Sequence, residues 1–251
     1  IKKEWLSSKF ALLALKNHLS RLNVSSELKG GVIKNYHLED LRLATIVVPP
    51  LPEQEAIVAK IESLFAELEA GKSALLAARE QIKLYRQSLL KVAFEGKLTE
   101  KGKKPLETGQ LPEGWKWVKL GEVCDIITGN TPSKLIQEYF GNEFPFYKPT
   151  DLEQGINTVN SNDGLSKLGL EKSRFIPKNS VLVTCIGATI GKTGLTQKDG
   201  SCNQQINAIL PNINLVPKFL YFQVISNKFQ NEILNSSSST TLPILNKSKF
   251  E

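Results

Sequence analysis

The sequence is poor in the residues that build metal sites and nucleophilic active sites. Its 251 residues include two histidines and three cysteines. His18 and His37 lie outside any cluster with metal-ligand spacing, which argues against a zinc site or a histidine-based catalytic triad. The cysteines form no C-x-x-C pair and have apolar or small neighbours, which predicts reduced core thiols in a cytosolic protein. They are Cys124, Cys185 and Cys202.

Methionine and long apolar runs are absent as well. The chain begins at Ile1 and contains no methionine. This predicts either an internal fragment of a longer protein or a sequence from which modified methionines were omitted. No apolar run approaches the ~18 residues of a membrane span, and no signal peptide opens the chain. We therefore expect a cytoplasmic protein, and its 41% hydrophobic content suffices for one large or two modest domains.

Positive charge exceeds negative charge, but not everywhere. The formal net charge is +7, whereas residues 52–96 carry six basic and seven acidic side chains. The excess therefore lies in the flanking parts, 1–51 and 97–251. Such a distribution favours contact of the flanks with a polyanion.

Residues 181–194 read VLVTCIGATIGKTG, an apolar run that ends in a possible phosphate loop. A Walker-type loop, G-x-x-x-x-G-K-[ST], requires a glycine at position 186 and a helix after the motif. Position 186 is Ile186, and turn-forming residues follow where the helix should begin. This argues against an ATP or GTP site. It indicates a buried strand (Val181 to Ile186), a loop shaped by glycine, and a second strand from Asn203 to Leu210.

A proline-rich segment, Pro49–Gln54, separates two different patterns. The apolar residues Ala44–Val48 before it predict a strand. Pro52 suits the first helical position, and the acidic residues beside it suit a helix N-terminus. Because no further proline occurs until Pro105, we predict one helix from Pro52 to Glu95.

Apolar residues recur along this helix in alternating steps of four and three, with Gly71 as the exception. The positions are Ile57, Ile61, Leu64, Leu68, Gly71, Leu75, Ala78, Ile82, Tyr85, Leu89 and Val92. A period of 3.5 residues over such a length is typical of a coiled-coil seam. A rod of about 65 Å cannot bury this seam against itself. The pattern therefore predicts a second long helix as partner.

The chain also matches itself weakly at an offset of 209 residues, without gaps. Lys9-Phe10 falls on Lys218-Phe219, Leu13 on Phe222 and Leu15 on Val224. Both segments read as a helix, a small polar loop and the approach to a strand. This order of elements suggests two related units.

Several motifs, in their order along the chain, resemble those of the specificity subunits of type I restriction–modification enzymes. They are Pro49–Gln54 opening a long helix, Gly96–Thr99 (GKLT), Leu111–Val123 (LPEGWKWVKLGEV), and Gly187 with Ile190-Gly191-Lys192 followed by Asn203-Gln204. The similarity covers nearly the whole chain.

The resemblance implies a non-catalytic DNA-recognition subunit. In that family two target recognition domains each read half of a split DNA sequence, and two long antiparallel helices fix their separation. The family's subunits recruit methyltransferase and restriction subunits. It follows that this chain needs no cofactor itself, and that S-adenosylmethionine, ATP and magnesium are expected only on partner subunits.

The resemblance also implies a domain organisation. Residues 1–50 are predicted to be the tail of a first target recognition domain, 51–97 the spacer helix, 98–111 a linker, and 112–251 a second recognition domain truncated at its end. The predicted fold class is α+β: a mixed α/β recognition domain plus a long coiled-coil-forming spacer helix. With one spacer helix, we expect the chain to self-associate, and Ala44–Val48 of one copy to complete the recognition domain of the other.

Three polar loops are the candidate DNA-binding segments, since bases are read by polar side chains and phosphates are neutralised by lysine and arginine. The candidates are Asn130, Thr131, Ser133, Lys134, Lys148, Thr150, Thr189 and Lys192. An ordinary solvated turn remains the alternative for each loop. Asn203, Gln204 and Gln205 either read bases or hold the loop backbone, and we favour the second role. Trp115 and Trp117 are predicted to be core residues of a half-buried strand.

The main alternative function is a coiled-coil assembly adaptor whose globular domain binds protein, and a nucleotide-hydrolysing switch is a distant third. Catalytic motifs are missing. No N-P-P-[FY] tetrapeptide of adenine methylases occurs, and no G-x-G cofactor loop follows a strand. The nuclease-like Glu95-Gly96-Lys97 falls at a helix end with no partner aspartate nearby, so we interpret it as coincidence.

Overall fold

Helices and strands together build the protein, in agreement with the predicted α+β class. The computed structural model describes residues 5–21, 42, 45–98, 111–212, 215–237 and 243–250. The chain divides into two units, residues 1–82 and 83–251. The boundary falls inside the long helix, and each unit is described by itself below.

The first unit contains helix α1 (Ser8–Arg21) and the greater part of helix α2 (Leu51–Phe94, 44 residues). The prediction of one helix from Pro52 to Glu95 is confirmed within a residue at each end. Two prolines precede α2, and Glu53 lies in its first turn, where a negative charge is favoured. The helix ends where Gly96 takes a left-handed φ of 75°, and the Lys97 N–H donates to the Val92 carbonyl at 3.0 Å.

Gln54 joins the segment before α1 to the first turn of α2. Its side chain is fully buried, with its oxygen accepting from the Ser7 N–H at 2.9 Å. Its amide nitrogen donates to the carbonyls of Trp5 at 3.0 Å and Pro49 at 2.7 Å. Because a buried amide must be fully bonded, this arrangement specifies one position of the segment against the helix. Phe10 and Val58 are buried beside it.

The middle of the predicted seam is open to solvent. Ile57 and Ile61, near the start of α2, are half-buried. Farther along the helix, the seam residues are exposed by 48% at Leu64, 66% at Leu68, 75% at Leu75, 54% at Ile82 and 41% at Leu89. The described residues therefore supply no cover for this apolar stripe.

The predicted strand Ala44–Val48 is wrong over its described part. Residues 45–50 have no regular secondary structure, and Val47 is 88% exposed. A β-branched, apolar composition favours a strand only where a neighbouring strand provides hydrogen bonds and packing. No strand of the described residues pairs with this segment.

Seven strands lie in the described part of the second unit. They are β1 (Ile126–Thr128), β2 (Phe140–Tyr147), β3 (Asp163–Leu165), β4 (Val181–Thr184), β5 (Thr193–Leu195), β6 (Ser201–Cys202) and β7 (Ile206–Ile209). An antiparallel sheet has the order β1-β7-β4-β5, and a smaller sheet has the order β3-β2-β6. In the smaller sheet β2 pairs antiparallel with β3 and parallel with β6. The two predicted strands are observed as β4 and β7, whereas the short strands β5 and β6 were not predicted.

The described part of the second unit also contains short helices. They are α3 (Leu120–Val123), α4 (Lys167–Glu171), α5 (Pro217–Val224), α6 (Asn227–Ser236) and α7 (Lys247–Phe250), together with 3-10 turns at Gln137–Tyr139 and Asp151–Asn157. Helix α4 contacts β2 and β3 of the smaller sheet. Side chains of α5, α6 and α7 pack with β4 and β7 in one buried cluster that includes Leu220, Val224, Ile233 and Phe250. This core holds the strand ends in fixed positions.

The last turns of α2 are tied to α5 and α6 by a second glutamine. The Gln87 oxygen accepts from the Asn227 N–H at 2.9 Å, and its nitrogen donates to the Ile225 carbonyl at 3.2 Å. Phe94 meets Phe219 edge to face, with ring centroids 5.4 Å apart. Phe219, which the internal repeat aligns with Phe10, therefore packs on the end of α2 within the second unit.

The predicted strand around Trp115 and Trp117 is wrong. Residues 115–119 have no regular structure, and the helix α3 begins directly after them at Leu120. Trp117 is 62% exposed, and the Lys228 ammonium lies 3.6 Å from the centre of its ring. Trp117 thus makes a cation–π contact with Lys228 at the surface and is not part of a half-buried strand.

Candidate nucleic-acid interface

The register of the larger sheet brings several loops to one of its ends. Thr128 of β1 pairs with Asn207 of β7, and Ile206 pairs with Thr184 of β4. Because neighbouring strands are antiparallel, β1 and β4 end where β7 and β5 begin. The loops 129–136, 185–192 and 203–205 therefore leave the sheet at the same end.

A fourth loop joins them from the smaller sheet. Strand β2 runs parallel to β6, and the Asn203 N–H donates to the Tyr147 carbonyl at 3.1 Å. Residues 148–150, which follow β2, thus lie beside loop 203–205. We call the four loops 129–136, 148–150, 185–192 and 203–205 the loop end. All eight predicted DNA-binding residues lie on it.

Loop 129–136 is fixed at its base. The Gly129 N–H donates to the Ile206 carbonyl at 2.9 Å, and a Cβ at this position would collide with the carbonyl oxygens of Cys202 and Asn203. Glycine is therefore required by close backbone approach. One step farther, the Thr131 hydroxyl donates to the Gln204 oxygen at 2.7 Å.

Both the oxygen and the nitrogen of the Asn130 side-chain amide are hydrogen-bonded to protein backbone. Its oxygen accepts from the Arg174 N–H at 2.7 Å, and its nitrogen donates to the Lys172 carbonyl at 3.3 Å. The Arg174 guanidinium donates to the Thr128 carbonyl. Segment 172–174 therefore clasps the loop. This segment was not predicted from the sequence, although the two basic residues Lys172 and Arg174 after α4 are a signal that could have shown it.

Lys148 and Lys192 each lie beside a carboxylate. The Lys148 ammonium pairs with Asp163, and the Lys192 ammonium lies 2.9 Å from Glu153. The Lys148 N–H also donates to Asp151 at 2.8 Å. These pairs are at least partly exposed, so they add little stability and can be exchanged for contacts with another anion.

The loop after β4 leads directly into β5. A strand therefore follows Lys192, at the place where a Walker-type loop requires a helix. Within loop 203–205, the Asn203 side chain donates to Gln205 at 2.9 Å, and the Gln205 N–H donates back to it at 3.1 Å. These contacts are the ones expected if Asn203 and Gln205 hold the loop backbone, the role that we favoured for residues 203–205. Gln204 is exposed and bonds to Thr131.

The eight predicted residues fall into two groups. Asn130, Thr131, Lys148 and Lys192 make the side-chain contacts described above. The other four are exposed, and among the described residues they have no side-chain hydrogen bond or ion pair. They are Ser133, Lys134, Thr150 and Thr189. The first group shapes the loop end, and the second presents polar groups to solvent.

The three cysteines are not suited to nucleophilic chemistry. All are free and buried, as predicted. Burial raises the pKa of each thiol, that of Cys185 to about 12, so the nucleophilic thiolate is not formed near neutral pH. Over the described ranges, no three His, Cys, Asp or Glu side chains are grouped so that they could hold a metal ion, and no helix there has the length and apolarity of a membrane span.

A family model shows which proteins share this arrangement. The model for the type I restriction modification DNA specificity domain matches residues 1–78 and 112–251. The match covers most of the chain, and the chain therefore belongs to this family.

Individual relatives agree with the family. The chain is 34% identical over 143 residues to the type I restriction enzyme HindI specificity subunit of Haemophilus influenzae, over 56% of this chain and 31% of that protein. It is 27% identical over 271 residues to the EcoBI specificity subunit of Escherichia coli, over 98% of this chain and 54% of that protein. The chain thus spans about half the length of the EcoBI relative.

A solved structure has a similar fold. The crystal structure of the HsdS subunit from Thermoanaerobacter tengcongensis matches with a TM-score of 0.57 and 22% identity, over 96% of this chain and 59% of that one. This likeness supports the described fold of helices and sheets.

The contacts of Asn130 generate a prediction about its role. We expect Asn130→Ala to speed hydrogen exchange of the Arg174 amide about fivefold, because a net hydrogen bond is worth ~1 kcal/mol and its loss frees that N–H. Amide exchange followed by NMR measures this. Thr150→Ala, at an exposed position of the same end, is the matched control and should leave the rate unchanged. An unaltered Arg174 rate in Asn130→Ala would show that Asn130 does not hold the loop.

Proposed function

We propose that this chain is a DNA-recognition subunit, or part of one, of a type I restriction–modification system, and that its loop end binds duplex DNA. One observation carries the proposal: four polar loops converge at one end of a sheet in a chain of the DNA specificity family. The relatives named above are specificity subunits, which agrees with this role.

The residues of the loop end have the chemistry for such a role. Ser133, Thr150 and Thr189 present hydroxyl groups that can donate to or accept from base edges. Lys134 is an exposed cation on the same loop as Ser133, suited to a phosphate. The hydrogen bonds at the start of loop 129–136 and within loop 203–205 keep these groups in place before DNA binds. This preorganisation lowers the entropy cost of binding.

We further propose that catalysis belongs to partner subunits. In this account methyltransferase subunits bring S-adenosylmethionine, restriction subunits bring ATP and magnesium, and the chain brings the choice of DNA sequence. It acts in the cytoplasm, a compartment that keeps its three thiols reduced.

The competing function is an assembly adaptor that binds protein through the same unit. Salt distinguishes the two functions. Each phosphate contact releases counterions, so binding to duplex DNA falls steeply as salt rises. Binding that persists at high salt would favour the adaptor.

The lysines of the loop end generate a prediction. With a short duplex selected from a random-sequence pool by the unaltered chain, Lys134→Ala, Lys148→Ala and Lys192→Ala should each weaken binding. Each should lower the slope of log K against log salt by about 0.9, the value for one phosphate. Fluorescence anisotropy at several salt concentrations measures the slope. The thermal midpoint should stay nearly unchanged, because exposed ion pairs contribute little to stability.

The carboxylates that face two of these lysines provide the matched control. Glu153→Gln removes the partner of Lys192 and should tighten DNA binding, since the lysine then meets the phosphate alone. A large loss of stability in the lysine variants, with an unchanged salt slope, would make these lysines structural. No DNA binding by the unaltered chain would remove support for the proposed function.

We also propose that the chain self-associates through helix α2. The seam residues Leu64, Leu68, Leu75, Ile82 and Leu89 form an exposed apolar stripe along one side of the helix. A stripe of this extent is large for the surface of a soluble monomer. Its 3.5-residue period fits a second helix of the same kind, and a second copy of the chain offers one.

Charges placed in the seam test this association. Leu68→Glu with Leu75→Glu should convert the associated chain into a monomer with much reduced helix content, measured by sedimentation equilibrium and circular dichroism. Ala66→Glu with Ala77→Glu is the matched control, since both positions lie on α2 outside the seam, and it should stay associated. The proposal is wrong if the unaltered chain sediments as a monomer with its helix intact.

A further inference from the structure

Leu135 is the most exposed large apolar side chain of the described residues, at 94%. It lies on loop 129–136, directly after Lys134, and the next residue, Ile136, is 40% exposed. Single exposed leucines are common on protein surfaces. The position of this one, among the polar residues of the loop end, is what calls for a physical explanation.

The loop is held so that Leu135 cannot fold back without breaking contacts. At its base, Gly129 lies against the backbone of β6, Asn130 is bonded to segment 172–174, and Thr131 is bonded to Gln204. Near its tip, the Ile136 N–H donates to the Ser133 carbonyl at 3.3 Å, which closes a turn around Lys134 and Leu135. The leucine is therefore presented outward by a fixed scaffold.

Leu135 directly follows the exposed cation Lys134 on a loop of polar residues. At the base of this loop, the Lys172 carbonyl accepts from the Asn130 side chain, and the Arg174 guanidinium donates to the Thr128 carbonyl. An exposed leucine directly beside a lysine does not match an apolar protein partner, whose contact surface is poor in acidic groups. It does match the groove of a nucleic acid duplex, where phosphates flank base edges that include the thymine methyl group.

We propose that Leu135 enters a groove of the bound DNA and makes an apolar contact with the bases, while Lys134 contacts the adjacent phosphate. The proposal rests on the proposed function and adds to it a residue that distinguishes sequences through shape and apolar contact. Leucine is among the apolar residues that proteins place against or between base steps.

The test separates the apolar contact from the phosphate contact. With the selected duplex, Leu135→Ala should weaken binding by roughly tenfold, as expected for loss of part of a buried leucine side chain. Its salt slope should equal that of the unaltered chain, because no counterion is released by an apolar contact. Leu135→Met should retain most of the affinity. Val216→Ala, a 66% exposed apolar residue that follows β7 at the opposite end of the sheet, should bind as the unaltered chain does.

A second variant reports location independently of side-chain size. Leu135→Lys should raise the salt slope by about one phosphate contact if the side chain lies within the DNA interface. The proposal is overturned if Leu135→Ala binds the duplex with unchanged affinity, or if Leu135→Lys leaves the slope unchanged. Those results would leave a salt-dependent complex of the unaltered chain intact, so the proposed function would survive them. Failure of the unaltered chain to bind any duplex would overturn both.

Discussion

The position of β7 between β1 and β4 is the constraint on which the loop end depends. One short, fully buried strand pairs antiparallel with both neighbours, so its starting residues meet the ends of both. A shift of this register by one residue would move each β7 side chain to the opposite face of the sheet, and the packing of both faces in buried clusters forbids it. The core therefore fixes where loops 129–136 and 185–192 emerge, although their own residues contribute little to that core. The sheet thus fixes the positions of the loops that we propose to bind DNA.

The helix and the main strands could be predicted from the sequence because their signals are local. The prolines before α2 and the sustained apolar period predict the helix, and the apolar run at β4 predicts the strand. Each signal is contained in the segment that it predicts. The strand predictions for residues 45–48 and 115–118 were wrong because a strand depends on contacts that are not local. Their composition suits a strand, but a strand also needs a neighbour, and the sequence alone does not supply one.

The candidate site was predictable as a set of loops and not as a set of roles. The three loops that were selected for their polar composition all lie at one end of the sheet, which the sequence did not predict. Composition could not show that the Asn130 side-chain amide would be hydrogen-bonded to the backbone of residues 172–174, or that Lys192 would lie beside Glu153. These contacts join positions about 40 residues apart in the sequence. For the same reason, the prediction from polar composition did not include Arg174 or Leu135. Long-range contacts decide which polar residues remain available for a ligand.

Hydrogen exchange of the full chain with and without the selected duplex tests the central claim most directly, that the loop end is the DNA-binding surface. The account predicts slower exchange on DNA binding for amides of loops 129–136 and 185–192, with no change along the middle of α2. Because exchange is read at each peptide, it locates the interface without any substitution. Unchanged exchange at both loops in a DNA-saturated sample, or slowing confined to α2, would contradict the account.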